Sequence, residues 1–139
     1  MSGYLLDTNV VSELRKLRPH GGVIAWMKKQ DERQIFVSAV TLGELQAGVE
    51  QTRRQDSQKA AEIESWIDQL AAAAQVLPLD TASAREWGRI MDGVPAQLLE
   101  DGMIAATARV HGLVVATRNQ RDFRHFDVQL FNPFEYKAE

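Results

Sequence analysis

Asp7, Glu44 and Asp101 are the residues whose type and placement could do chemistry together. Asp7 follows the apolar pair Leu5-Leu6, and Glu44 lies one turn into the helical pattern after Ile35-Phe36-Val37. Asp101 opens the pattern that leads into Leu113-Val114-Val115-Ala116, and Thr117, Asn119 and Asp122 follow that run with further oxygen donors. Carboxylates gathered at one edge of a sheet repel one another unless a cation sits among them. There is no cysteine, and His20, His111 and His125 are scattered and read as solvated or structural. An all-oxygen donor set suits the hard ions Mg2+ and Mn2+. Carboxylate-bound Mg2+ keeps several waters, activates one as a nucleophile and neutralises charge on a scissile phosphate, so the chemistry expected is phosphodiester hydrolysis.

Each acid also has a local explanation. An Asp before a helix is a common N-cap, which for Asp7 weighs as much as a functional role. Thr41 and Glu44 match the S/T-x-x-E capping box, and Glu44 taken alone favours that reading. Asp101 would be a favourable charge on a helix N-terminus, as would its neighbour Glu100; Asp101 is preferred because it shares a face with Ile104, Ala105 and Ala108. A plain turn accounts for Thr117 to Asp122 almost as well.

The elements that must position these side chains alternate. Strands are expected at 4–6, 35–37, 76–77 and 113–116, with an edge strand within 128–131. Helical patterns cover 10–17, 23–29, 41–52, 57–74, 82–91 and 101–110. Arg18-Pro19-His20-Gly21-Gly22 reads as a turn between helices. In the fourth pattern Ala60, Ile63, Ile67, Leu70 and Ala74 form a core-facing stripe, with Trp66 beside it as a core aromatic. Strands alternating with crossover helices imply an α/β fold: a mainly parallel sheet of four to five strands with helices on both faces. Ligands of such sheets bind beyond the carboxyl ends of the strands, where Asp7 is expected.

At 139 residues the chain fits one domain, 1–139. Its net charge of −3 and pI of about 5.6 argue against a general DNA-coating protein. The N-terminus does not read as a secretory signal and no apolar run is long enough for a membrane span, so a cytoplasmic location and no membrane partner are expected.

The order of Leu6-Asp7-Thr8-Asn9, Ser38-Ala39-Val40-Thr41-Leu42-Gly43-Glu44-Leu45, Asp101-Gly102-Met103-Ile104-Ala105-Ala106, Ala116-Thr117-Arg118-Asn119 with Asp122-Phe123, and Phe131-Asn132-Pro133-Phe134 resembles that of PIN-domain ribonucleases. The likeness is greatest to the VapC and FitB toxins of bacterial toxin–antitoxin pairs. It implies a three-layer PIN-like fold and a Mg2+-dependent endoribonuclease, with Mn2+ as a substitute, acting in plasmid or gene-cluster maintenance or growth control. It also implies a small DNA-binding antitoxin and a homodimer as partners. Carried onto this sequence, Asp7 and Asp101 would be the principal metal ligands, Glu44 would complete the site directly or through water, and Asn9 and Thr117 would support it. Several relatives carry Asp where this chain has Asn119, so either Asp122 substitutes or the site works with three carboxylates. For RNA phosphates Arg118 and Arg121 rank first by proximity; Arg15, Lys16, Arg18, Arg53, Arg54 and Arg124 are further candidates.

Other readings fit less well. A haloacid-dehalogenase phosphatase wants a second Asp two residues after the first, where Asn9 stands, and a receiver module wants a lysine where Arg118 lies nearby. A dinucleotide fold wants glycines in the first turn, which has none. A non-catalytic interaction domain that binds a DNA-binding partner remains, because each acid has a structural role open to it.

Overall fold

Leu5 and Leu6 are both buried, at 0% and 2% exposure. Successive strand residues point to opposite faces, so the strand that carries them must be covered on both sides. The computed structural model describes residues 3–138 and meets this requirement. Among the described residues five strands, β1 (Tyr4–Leu6), β2 (Ile35–Ser38), β3 (Gln75–Leu77), β4 (Val114–Ala116) and β5 (Leu130–Phe131), form one sheet. Their order is β3-β2-β1-β4-β5 and every neighbouring pair is parallel.

The helices are α1 (Thr8–Glu13), α2 (Gly21–Lys29), α3 (Ala39–Arg53), α4 (Ser57–Ala73), α5 (Thr81–Ile90), α6 (Leu99–His111) and α7 (Gln120–Phe123). On one face Leu5 and Val115 pack with Ile104, Ala105 and Ala108 of α6 and with Phe123 and Phe126. On the other, Leu6, Val37 and Ala116 pack with Val10 and Val11 of α1 and Val23 and Trp26 of α2. The α4 stripe packs as its spacing predicts: Ala60 and Ile67 meet Val49 of α3, with Ile63 and Trp66 against them. These three layers fix the ends of β1, β2 and β4 relative to one another.

Several element ends differ from the sequence pattern. Helix α1 stops at Glu13, short of residue 17, because the chain tightens there: the amides of Leu14, Arg15 and Lys16 bond three residues back, to Val11, Ser12 and Glu13. Glu13 closes the turn by accepting hydrogen bonds from Lys16 Nζ and the His20 amide, each at 2.8 Å. Gly21 and Gly22 belong to α2 rather than to the turn, with His20 as the N-cap. At Gly22 a side chain would run into the carbonyl oxygens of Pro133 and Tyr136. Helix α6 begins at Leu99 after a 3-10 turn at Ala96–Leu98, so Asp101 sits in its first turn instead of opening it. Gly112, at φ 66°, ends α6 in the left-handed region and turns the chain into β4, one residue later than expected.

Candidate active site

The chain lays β2 and then β3 to one side of β1, and returns to place β4 and β5 on the other. The reversal falls between β1 and β4, and parallel sheets open a ligand-binding crevice at the carboxyl ends of strands where order reverses. Asp7 leaves β1 at that point and Thr117 leaves β4 beside it. The Asp7 amide donates to the Ala116 carbonyl at 2.9 Å, so the ladder itself sets the two residues side by side.

Asp7 is buried and locked. Its Oδ1 accepts from the Thr8 amide at 2.8 Å, and its Oδ2 accepts from the Thr117 hydroxyl at 2.7 Å and from Asn9 Nδ2 at 3.0 Å. Thr117 uses its one proton on Asp7 and accepts from the Asn119 amide at 2.8 Å and from Asn9 Nδ2 at 3.3 Å. Burial raises the Asp7 pKa above its ordinary value, against the opposing pull of its Thr117, Thr8 and Asn9 hydrogen bonds. Capping and a site role are thus not alternatives for Asp7: one oxygen caps α1 and the other faces β4.

Glu44 is not a helix cap. Ser38 holds that position, its hydroxyl accepting from the Val40 amide at 3.0 Å, which places Thr41 inside α3. Glu44 Oε1 accepts instead from the Thr8 hydroxyl at 2.7 Å, and the buried Thr41 hydroxyl lies 3.0 Å from that of Thr8. Sequence spacing missed Thr8 because its partner is distant in the chain, although its place directly after Asp7 was visible. Glu44 is half-buried, and its pKa is raised by burial and by the charges of Asp7 and Glu100, against the Thr8 hydrogen bond.

Asp101 is half-buried in the first turn of α6. Its pKa is raised to about 7, first by burial and then by the charges of Asp7, Glu44, Asp122 and Glu100. Glu100, set aside on its helical angle, therefore adds to the field while remaining exposed. Asn119 donates from Nδ2 to Asp122 Oδ2 at 2.9 Å, so this neutral residue holds the nearby acid in place.

The structure thus brings Asp7, Glu44, Asp101 and Asp122 into one electrostatic neighbourhood. None of them takes part in an ion pair among the described residues. Nor do any three acidic or imidazole side chains among those residues converge closely enough, as they stand, to chelate an ion. Asp7 and Glu44 are held by neutral donors from Thr8, Asn9 and Thr117.

Of the basic residues, Lys16 is paired with Glu13, and Arg53 with Glu50 and Glu64, so these are committed away from the acids. Arg118 and Arg121 are exposed beside the site, the first with its guanidinium carbon 4.2 Å from the centre of the Phe134 ring. His20 is structural: its Nδ1 accepts from the Gly22 amide at 3.1 Å. Among the described residues no helix is long and apolar enough to cross a membrane.

Comparison with known proteins places this geometry. Residues 4–129 match the PIN domain model. The chain is 36% identical to VapC ribonuclease Y4jK of Sinorhizobium fredii, over 94% of this chain and 97% of that protein. It is 34% identical to toxin FitB of Neisseria gonorrhoeae, with the same two coverages of 94% and 97%. A solved structure of FitAB bound to an IR36 DNA fragment contains a chain 31% identical, with a TM-score of 0.80 over 97% of this chain and 98% of that one. A match of that extent, on a sheet whose carboxyl edge carries the acids, makes this chain a member of the PIN-domain family.

Proposed function

We propose that this protein is a Mg2+-dependent endoribonuclease and the toxin of a toxin–antitoxin pair. The observation that carries the reading is a set of four carboxylates at the sheet's order reversal with, among the described residues, no basic side chain paired to any of them. Its oxygen-only donors fit a hard divalent cation, whose charge would offset the mutual repulsion of the carboxylates. Asp7 and Asp101 would be the principal holders of Mg2+, or of Mn2+ in its place, with Glu44 and Asp122 completing the charge. When bound, the ion supplies an activated water and neutralises charge on the phosphate.

The chain's own residues prepare that site. Thr117, Asn9 and the Thr8 amide fix the Asp7 carboxylate, and the Thr8 hydroxyl fixes Glu44; such outer partners orient ligands and raise affinity. Asn119 does the same for Asp122. The names of the relatives, a VapC ribonuclease and a toxin, support RNA as the substrate and a toxin's role, and we propose control of growth or plasmid upkeep as the consequence. A DNA-binding antitoxin partner, a homodimeric assembly and a cytoplasmic site of action belong to the same proposal.

The test is cleavage of varied RNA by purified protein freed of any partner, with Mg2+ or Mn2+ and with chelator. Wild type should cut only with metal. Asp7→Asn should lose more than the roughly 100-fold that removal of an outer-shell partner costs, while keeping its fold. No cleavage under any of these conditions would leave the interaction-domain reading standing.

A further inference from the structure

Arg33, Arg53, Arg89 and Arg109 each close on a carboxylate. Arg118 pairs with none among the described residues, although it follows Thr117, which donates to Asp7. A mobile guanidinium beside uncompensated acids would be drawn onto them. Two contacts oppose that collapse. The Arg118 amide donates to Asn9 Oδ1 at 3.3 Å, and Asn9 donates onward to Asp7. The guanidinium lies over the Phe134 ring at 4.2 Å, an attraction between cation and ring face that leaves the N–H edges of the fork free.

Phe134 is itself held firmly. From β5 the chain leaves the carboxyl edge of the sheet into a 3-10 turn, Pro133–Glu135, capped by Asn132 Oδ1 accepting from the Phe134 amide at 3.0 Å. Pro133 is buried, its carbonyl packs closely on Gly22 of α2, and the His20 ring lies 5.1 Å from that of Phe134. The C-terminal turn therefore spans from α2 to the loop after β4 and presents an aromatic platform beneath Arg118.

We propose that Phe134 is a positioning residue for RNA binding: it holds Arg118 off the acid cluster and at its rim, where the guanidinium grips a phosphate of the bound strand. This rests on the ribonuclease reading for its substrate. A planar fork stacked on a ring keeps two parallel N–H donors for phosphate oxygens, which a lysine cannot reproduce.

The experiment measures the affinity of the full chain for a fluorescein-labelled single-stranded RNA in chelator, across a salt series, with thermal melts to establish folding. Arg118→Ala should weaken binding about fivefold and flatten the plot of log affinity against log salt by about 0.7, the share of one phosphate on a single strand. Phe134→Leu should do the same in lesser degree, Phe134→Trp should bind as wild type, and Arg118→Ala with Phe134→Leu should bind no worse than Arg118→Ala alone. A folded Phe134→Leu with wild-type affinity and salt slope, or losses that add independently, overturns the proposal. So does an Arg118→Ala protein that binds RNA normally and instead loses a co-expressed protein partner. Because affinity is read without metal, an absence of cleavage in wild type would count against the nuclease and not against Phe134.

Discussion

At the amino end of α6 the charges that act most on Asp101 are the negative ones of Asp7, Glu44, Asp122 and Glu100, whereas at its carboxyl end Arg109 meets Glu86 at 2.7 Å and donates to the Phe126 carbonyl at 3.2 Å. Glu86 also pairs with Arg89 at 3.0 Å, and Arg109 and Arg89 together hold its carboxyl below the usual range. A cavity of about 560 Å3 lies beside this second cluster, lined by Glu86, Arg109 and Asp127. Both ends of the helix carry charge beside a sheet edge, but one is neutralised by its own neighbours and the other is not. Neutralised charge next to a helix C-terminus is ordinary stabilisation. Charge left uncompensated and half-buried lowers stability, and it persists where a ligand is to supply the missing sign.

The largest expected effect separates activity from stability at the first end. Asp101→Asn should lower RNA cleavage by more than about 100-fold, beyond the loss of an outer-shell partner. In chelator the same substitution should raise the melting temperature at pH 8. The sign follows from the pKa: a carboxyl held near 7, above its ordinary 3.8, binds its proton more tightly in the folded chain than in the unfolded one. Wild type should therefore lose stability as pH rises from about 4 through 7, and Asp101→Asn should lose less. Mg2+ should raise the wild-type melting temperature at pH 8 far more than at pH 5, since ligands must ionise to bind. A variant less stable than wild type at pH 8 in chelator would remove the contrast between the two ends.

Next in size are the neutral supports. Thr117→Val removes the donor to Asp7, and Thr8→Val the donor to Glu44, each at 2.7 Å. Each should reduce cleavage by about 10- to 100-fold, mainly through the Mg2+ concentration required, as outer-shell changes do. Measuring the metal activation curve distinguishes this from misfolding, because added Mg2+ should recover part of the lost rate.

At the other end the effect is on stability alone. Glu86→Ala leaves Arg109 and Arg89 without their shared partner and should cost about 1 kcal/mol in denaturant unfolding, the upper range for exposed ion pairs. The stability Glu86 contributes is present above its ordinary pKa and is lost as pH falls through its lowered folded value. That is the reverse of Asp101, and cleavage per folded molecule should not change.

How much of this was legible follows from chain separation. The five runs of β-formers showed every strand, and alternation with helices implied parallel order, because both depend on patterns within a few residues. Asp7 and Asp101 could be placed for the same reason. Glu44 looked like a cap because Thr41 stands three residues before it, while the competing partner, Thr8, lies 36 residues away and becomes visible only when β1 and β2 pair. Ser38, directly at the end of β2, was the local signal that the cap lay elsewhere. The stack of Arg118 on Phe134 likewise needed β4 and β5 to be adjacent.

The smallest effect concerns Asn119, the neutral residue that braces Asp122. Asn119→Asp would replace the amide that now donates to Asp122 at 2.9 Å with a further carboxylate. Without metal the two acids would repel across hydrogen-bond distance, so the melting temperature in chelator at pH 8 should fall. With metal the added charge should strengthen binding, moving the midpoint of Mg2+ activation to lower concentration by less than about tenfold, as one more ligand charge tunes affinity. Opposite shifts in the two measurements would mark Asn119 as a neutral brace that moderates an overcharged site. Parallel losses would instead mean that its hydrogen bond to Asp122, and not the sum of charge, is what the metal-holding end of α6 requires.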